Sequence, residues 1–419
     1  MRWIVLAGLA FFLALFALTT FAPADADIEA QARTHFSTTD IERGREFSFQ
    51  RRLLFWTGTF LQLAVLAGIV FSGLARKLAD SCLTWTRGRW LLAVLLVGAV
   101  CYLAEEAVAL PVALARLENL RAWGMTRRST SDWLLERCLS HGLSAVAEGI
   151  VLVGLYLLMR CVPRAWPVLA ALGGMAVGVV FALILPIWIA PLFNTFTPLE
   201  KTEWGYLREP VAELARRGGV PVDEILVMDA SRQGSHTNAY FTGFGGTRRI
   251  VLYDTLLRQH MKAKDWREVE VILAHEMGHW QHDHIVTGIM IGGVAALAGF
   301  CLLSWILQRL VGRPPLRLTS PHDPAGVPLL MLLVVVGTWL AAPVGNAISR
   351  HFERQADLVS LEMTRNPEIF IDAEIRLARD NISNVTPNRW SILFMATHPP
   401  AVERIRMAED WKKSSEAGR

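Results

Sequence analysis

The chain has 419 residues and a formal net charge of +4, and 53% of its residues are hydrophobic while only 19% are charged. Soluble domains are usually about 45–50% apolar and about 25% charged, so this composition indicates a membrane protein. The small net charge, without a dense basic stripe, excludes nucleic acid as an expected partner.

Seven apolar runs are long enough to cross a bilayer, which takes about 20 residues of helix. The length of the first run favours a retained helix, although the small residues Ala24 and Ala26 after it would also suit cleavage of a secretory signal. The sequence therefore predicts a mostly α-helical protein with spans at roughly 3–22, 53–75, 90–112, 142–162, 166–190, 285–307 and 327–348.

Three carboxylates, those of Glu105, Glu106 and Glu148, lie within these apolar runs. A charge that faces lipid is costly, so one expectation is that they face the interior of the bundle or a water-filled space. The other expectation is that each pairs with an arginine near a helix end. The sequence leaves both open.

Lysine and arginine are enriched in short loops on the cytoplasmic side of a membrane. If residues 195–283 are cytoplasmic, the loops 23–52 and 113–141 lie on the same side, and each carries five arginines. The opposite loops carry four, one and three Lys or Arg residues, at 76–89, 163–165 and 308–326. The bias is weak, and it favours a cytoplasmic position for 195–283.

Two polar segments, 195–283 and 349–419, are separated by the sixth and seventh spans. We expect them to fold together as one domain. The chain then divides into a transmembrane region of five spans at 1–194 and a second domain at 195–419, which two further spans interrupt.

The first polar segment carries helical and strand patterns. Residues 202–217 have the pattern of an amphipathic helix, and 224–228 that of a short strand. The stretches 236–243 and 248–253 flank a glycine-rich turn, which predicts a β-hairpin. A helix that begins near Asp265 follows and is expected to run almost directly into the sixth span.

This helix carries HEMGH in the apolar sequence VILAHEMGHW (271–280). Residues four apart share one face of a helix, so His275 and His279 can bind one Zn²⁺ through their imidazole nitrogens. Glu276 lies about 100° round the helix from His275 and suits a general base that activates water. Unpaired ionisable groups would be costly in this apolar context, which favours a metal site over a solvated helix face.

A hydrolytic zinc site needs a third protein ligand and an open position for water. The extended motif HExxHxxGxxH does not continue here, because its glycine and last histidine positions are His282 and Ile285. The ligand must come from elsewhere, and Glu353 in SRHFERQAD (349–357) is the candidate. Asp357, one turn further on, can accept the free N–H of a ligating imidazole.

Two alternatives stay open at this site. Glu353 could instead form a salt bridge with Arg350 or Arg354. Other histidines also compete as ligands, namely His282, His284 and His351, although His282 is best explained as an interfacial residue at the start of the sixth span.

With these residues in place, the chain resembles the integral-membrane zinc endopeptidases called CAAX prenyl protease 1. The similarity covers nearly the whole chain, and its motifs are IAPLFNTFTPLE (189–200), HTNAYFTGF (236–244), RRIVLYDTLL (248–257), HEMGHWQHDH (275–284), SRHFERQAD (349–357) and THPPAVERI (397–405).

The resemblance implies a fold in which seven tilted helices enclose a water-filled chamber, capped by a zincin-like metalloprotease domain with a small β-sheet. It implies one Zn²⁺ held by His275, His279 and Glu353, with Glu276 as the catalytic glutamate and Asp357 beside the ligands.

The resemblance also implies roles around the zinc. His398 and Arg404 match a pair near the site, and His398 is a candidate donor to the developing oxyanion. Asn238, Ala239 and Tyr240 match the edge strand that holds the peptide, and an exposed strand edge can pair with an extended substrate without reading many side chains.

The expected function is zinc-dependent hydrolysis of peptide bonds, with CAAX-type processing of a C-terminus that is lipidated or hydrophobic and held beside membrane lipid. Three alternatives are a broad-specificity quality-control protease, a non-catalytic membrane chaperone and a transporter. The intact HEMGH and Glu353 set argues against the last two.

Overall fold

The structure is a computed structural model, which describes residues 2–184, 188–220, 222, 224–234, 238–242, 248–260 and 265–417. The first half consists almost entirely of helices, as its long apolar runs predict. Its helices are α1 (Arg2–Phe21), α2 (Ala26–His35), α3 (Thr38–Phe71), α4 (Leu74–Trp85), α5 (Trp90–Ala122), α6 (Thr130–Cys161) and α7 (Trp166–Ile184).

The second half adds a four-stranded sheet and eight helices among its described residues. The strands are β1 (Phe196–Pro198), β2 (Glu224–Met228), β3 (Ala239–Thr242) and β4 (Arg249–Tyr253). The helices are α8 (Arg208–Arg217), α9 (Asp254–His260), α10 (Arg267–Gln281), α11 (His284–Leu310), α12 (Val327–Thr364), α13 (Pro367–Asp380), α14 (Arg389–Met395) and α15 (Ala401–Ala417).

Six helical segments of the described chain are long and apolar enough to cross a membrane, at Leu6–His35, Thr38–Phe71, Trp90–Ala122, Thr130–Cys161, His284–Leu310 and Pro324–Thr364. The predicted fifth span corresponds to α7, which is apolar but has only 19 residues. Six of the seven predicted spans therefore correspond to long apolar segments of the described chain, and the fifth coincides with a shorter apolar helix.

Helices α3 and α12 extend well beyond the thickness of a bilayer. Their 34 and 38 residues span about 51 Å and about 57 Å at 1.5 Å per residue, whereas a hydrocarbon core is about 30 Å thick. The polar first half of α3 and the polar last half of α12 therefore project beyond the bilayer, where α3 contacts Thr386 and α12 packs against α10.

Side-chain contacts show which loops lie at the same end of the helical bundle. Thr126, between α5 and α6, donates to the carbonyl of Gln233 at 2.7 Å, and Arg45 of α3 donates to Thr386 at 2.8 Å. At the other end of the bundle, Arg76 pairs with Asp323 at 2.7 Å. Each pair joins segments far apart in sequence and fixes which loops share a side.

The carboxylates predicted within the spans have different environments. Glu106 pairs with Arg137 at 2.6 Å, as the ion-pair alternative proposed, and Glu105 accepts a hydrogen bond from Gln62 at 2.7 Å between two helices. Glu148 has an exposed side chain on α6.

Helix α1 packs into the fold through its C-terminal turn. Thr19 is buried, and its hydroxyl accepts a hydrogen bond from the indole N–H of Trp56 at 3.0 Å. Its carbonyl accepts one from the Ser391 hydroxyl at 2.7 Å. The first helix thus contacts both α3 and α14.

The sheet has the order β1-β2-β4-β3, in which β2 and β4 are parallel and the other pairs are antiparallel. The predicted strand at 224–228 matches β2. The predicted hairpin is formed by β3 and β4, while its turn at 243–247, with His236 and Thr237, lies outside the described residues. Strand β1 is an additional edge strand, too short to show a strand periodicity.

Candidate active site

Helix α10 presents the HEMGH sequence between the sheet and α12. Val269, Leu273 and Met277 pack into the apolar core beneath the sheet, whereas His275 and Glu276 line a cavity. The helix runs almost directly into α11, as expected, and the two are separated by a break at 282–283, where Asp283 adopts a left-handed φ of 49°.

Helix α12 is bound closely to α10. A β-carbon placed on Gly278 would lie 2.7 Å from the Ala356 Cα, which only glycine at 278 permits. The Ser360 hydroxyl donates to the Val271 carbonyl at 2.7 Å in the same buried interface. This approach brings Glu353, at the preceding turn of α12, to the two histidines.

The three predicted ligands converge, with one ligand atom of each within 4.8 Å of the others. The Nε2 atoms of His275 and His279 lie 3.2 Å apart. Glu353 places Oε2 3.3 Å from His275 Nε2 and Oε1 3.6 Å from His279 Nε2. Two imidazoles and a carboxylate are a donor set that zinc prefers.

Glu353 is not paired with the arginines that the sequence offered as alternatives. Arg350 donates to the carbonyls of Ile392 and Ala396, both at 2.7 Å, and Arg354 pairs with Glu403 at 3.2 Å. Among the described residues, Glu353 Oε2 is buried and has no hydrogen-bond partner. A buried, unsatisfied carboxylate oxygen that faces two imidazole nitrogens fits a metal ligand.

A buried ion-pair network supports His275 from behind. His275 Nδ1 lies 2.7 Å from Asp357 Oδ1, a geometry in which the ring donates Nδ1–H and leaves Nε2 free for a metal. Arg404 donates to Asp357 Oδ2 at 2.9 Å and pairs with Glu374 at 2.8 Å. Burial raises the pKa of Glu374 to about 7. Although burial opposes it, the two carboxylates raise the pKa of Arg404 above its usual range, so this guanidinium stays charged.

A second support, which sequence reasoning missed, lies behind His279. Its Nδ1 atom is 2.9 Å from Nδ1 of the buried His284, whose Nε2 is 3.1 Å from Gln355 Oε1. If His279 Nε2 faces the metal, its Nδ1–H donates to His284, which in turn donates to Gln355. The sequence signal was present in HEMGHWQHDH, but the break at 282–283 that turns His284 back towards His279 was not predictable.

Glu276 lines a cavity of about 700 Å³ together with His275 and Glu353. Burial raises the pKa of the Glu276 carboxyl to about 7, before the charge of any bound metal is considered. A carboxylate with a pKa near neutrality can both accept and return a proton.

His398 stands at the mouth of the same cavity. Its side chain is 63% exposed, and its Nε2 lies 3.4 Å from Glu353 Oε1. Thr397 Oγ1 lies 2.9 Å from its Nδ1 and restrains the ring. The position allows a donor role towards a substrate in the cavity.

The predicted peptide-binding stretch lies at the edge of the sheet. Asn238 lines the cavity just before β3, and its Oδ1 accepts from the Ala239 N–H at 2.9 Å. Ala239 is buried and Tyr240 half-buried in β3, which pairs with β4 on one side only among the described strands. An extended peptide could add to the free side of β3.

Comparison with known families identifies both halves of the chain. Residues 201–412 match Peptidase family M48, and residues 24–195 match the family described as CAAX prenyl protease N-terminal, five membrane helices.

Individual relatives agree with this match. An uncharacterized metalloprotease of Bacillus subtilis is 28% identical over 99% of this chain and 98% of its own. CAAX prenyl protease 1 of Saccharomyces cerevisiae is 34% identical over 68% of this chain, which covers 64% of the yeast protein. The crystal structure of S. mikatae Ste24p superposes with a TM-score of 0.81 at 23% identity and covers 96% of this chain and 97% of that one. That structure shares the fold.

Proposed function

The chain belongs to Peptidase family M48 and is a membrane metalloendopeptidase. From this premise we propose that its activity depends on zinc and that it cleaves lipidated or hydrophobic peptides near their C-terminus. The zinc assignment rests on one observation: His275, His279 and Glu353 each place a ligand atom within 4.8 Å of the others, beside Glu276. The family description supports CAAX-type processing.

We assign the roles as follows. His275, His279 and Glu353 hold one Zn²⁺, which when bound would supply a Lewis acid for the scissile carbonyl. Glu276 accepts a proton from the attacking water and returns it to the leaving amine. Asp357 and Arg404 keep His275 in the tautomer that leaves Nε2 free.

The substrate is held by the sheet and the cavity. An extended peptide pairs with the free side of β3 at Ala239 and Tyr240, and Asn238 donates to the peptide from the cavity wall. His398 donates to the carbonyl oxygen as charge develops on it. Apolar side chains of the cavity, such as Phe55 and Met395, accept a hydrophobic terminus.

We propose seven spans, with α7 as the fifth, around a chamber capped by the protease domain. The contact of Thr126 with Gln233 supports this count, because the chain between them must then cross the membrane an even number of times. Helix α6 supplies one crossing, and the 19 residues of α7 are within the length a second requires. The packing of Thr19 supports retention of α1.

The proposed division places five spans in 1–194 and the protease domain in 195–419. The arginine content of loops 23–52 and 113–141 supports a cytoplasmic catalytic side.

Cleavage of matched peptides tests the function. The purified protein is incubated with a peptide that ends in a farnesylated CAAX sequence and with the same peptide without lipid, beside E276Q. We expect cleavage of the lipidated peptide with a loss of 10²–10⁴-fold in E276Q, which is the contribution of a general base, while zinc content is unchanged. Equal cleavage of both peptides would indicate the broad quality-control protease, and cleavage of neither by the zinc-loaded protein would overturn the proposal.

A further inference from the structure

Two arginines of α3 line the cavity that contains the proposed zinc ligands. Arg51 and Arg52 occupy the cavity-facing side of the helix with Ser48 and Phe55, at spacings of three and four residues. They lie where α3 passes from its polar first half into its apolar second half.

Within the described part of the chain, neither guanidinium has a carboxylate partner. The guanidinium carbon of Arg51 lies 5.3 Å from the centre of the Phe47 ring. Arg52 Nη1 has a long contact of 3.4 Å with Ser391 Oγ, and its Nε is buried without a partner. By contrast, Arg45 on the same helix pairs with Glu29 at 2.8 Å.

The acids of the cavity wall do not supply this charge. Glu353 faces the two histidines, and Glu374 pairs with Arg404. The third acid of the lining, Glu276, forms no ion pair with either arginine among the described residues. Arg51 is exposed at the cavity, whereas Arg52 is half-buried and its Nε is covered. A partly buried cation without counter-charge is costly, which argues that a ligand supplies the anion. A guanidinium matches a carboxylate in a bidentate, planar geometry.

We propose that Arg51 and Arg52 bind the terminal carboxylate of the substrate, an inference that rests on the proposed peptidase function. A free peptide C-terminus is an anion that every such substrate carries, whatever its sequence. Anchoring it on α3, in the cavity that also contains the ligands His275 and Glu353, sets the cleavage position by its distance from the C-terminus. The apolar neighbours Phe47 and Phe55 accept the last side chain.

Paired substrates test the subsite without any variant. One peptide ends in a free carboxylate, a second is its C-terminal amide, and a third is the amide with a glutamate as the last residue. We expect kcat/KM for the free acid to exceed that of either amide at least tenfold. If the glutamate amide matches the free acid, the arginines recognise side-chain carboxylates and the proposal is wrong.

Variants locate the effect. R52Q and R51Q should each reduce the preference for acid over amide at least threefold, R52K should retain more of it than R52Q, and the exposed R43Q on the same helix should retain it fully. Zinc content and melting temperature identify a variant that fails to fold. If the free acid and the amide are cleaved at equal rates and E276Q cleaves neither, the carboxylate subsite is wrong and the proposed function stands. If the wild type cleaves neither peptide, the subsite and the proposed function are both wrong.

Discussion

Gly278 of α10 lies against Ala356 of α12, so closely that a β-carbon at 278 would be 2.7 Å from the Ala356 Cα and 3.0 Å from its carbonyl oxygen. The obstruction is backbone, which cannot move aside as a side-chain end can. The same two helices carry the proposed ligands, His275 and His279 on one and Glu353 on the other. The glycine in HEMGH therefore determines whether the ligand set closes.

G278A should separate the two helices and open the site. Alanine favours a helix by about 1 kcal/mol over glycine, so any loss must come from the clash, for which overpacking predicts about 1–3 kcal/mol. We expect a lower melting temperature and a zinc content well below one per chain, measured by atomic emission. G288A in α11 is the matched control, since no atom lies within 4 Å of that position. An unchanged zinc content in G278A would contradict this account.

His284 should matter for zinc affinity although it is not a proposed ligand. Its hydrogen bond to His279 fixes the tautomer that leaves Nε2 free, and loss of such outer contacts typically weakens metal binding by 10–100-fold. We expect H284A to weaken zinc affinity by this factor in a competition with a chelator. H351A, at an exposed histidine, should not change it. Equal affinities in H284A and the wild type would exclude the positioning role.

The sequence indicated which residues form the candidate site more reliably than it indicated which side chains pair with one another. Spacing alone placed His275, His279 and Glu276 on one helix, and charge placement offered Glu353 and Asp357. The arginine alternatives for Glu353 could not be decided, because their outcome depends on where the 392–396 carbonyls lie, and these accept from Arg350.

The parts of the fold that the sequence did not predict depend on long-range packing. Strand β1 exists because β2 offers it an edge, and three residues carry no periodicity of their own. The break between α10 and α11 rests on one left-handed residue, Asp283, which propensity does not favour over a continuous helix. The position of Arg51 and Arg52 in the cavity likewise follows from α3 extending beyond the membrane.

Arg404 should be important for folding, because it neutralises two buried carboxylates. R404M leaves Asp357 and Glu374 without their shared cation, and breaking such a pair costs about 3–5 kcal/mol. We expect a large fall in the melting temperature, measured in detergent. The double variant R404M/E374M removes one of the two unpaired charges and should recover part of that loss. R406M, at an exposed position two residues away, should melt like the wild type.

The contact between Thr126 and Gln233 predicts the membrane topology. Both residues lie on one side, so the short loop at 162–165, between α6 and α7, must lie on the other. Single cysteines are placed at positions 164, 231 and 321 after replacement of the five native cysteines, and sealed vesicles are treated with an impermeant maleimide. Positions 164 and 321 should react together in one vesicle orientation and 231 only in the opposite one. Reaction of position 164 together with position 231 would show that α7 does not cross the membrane, because six crossings place both positions on the same side.

The same labelling in vesicles of known orientation decides whether position 231, and with it the proposed zinc site, is cytoplasmic, as the arginine-rich loops predict.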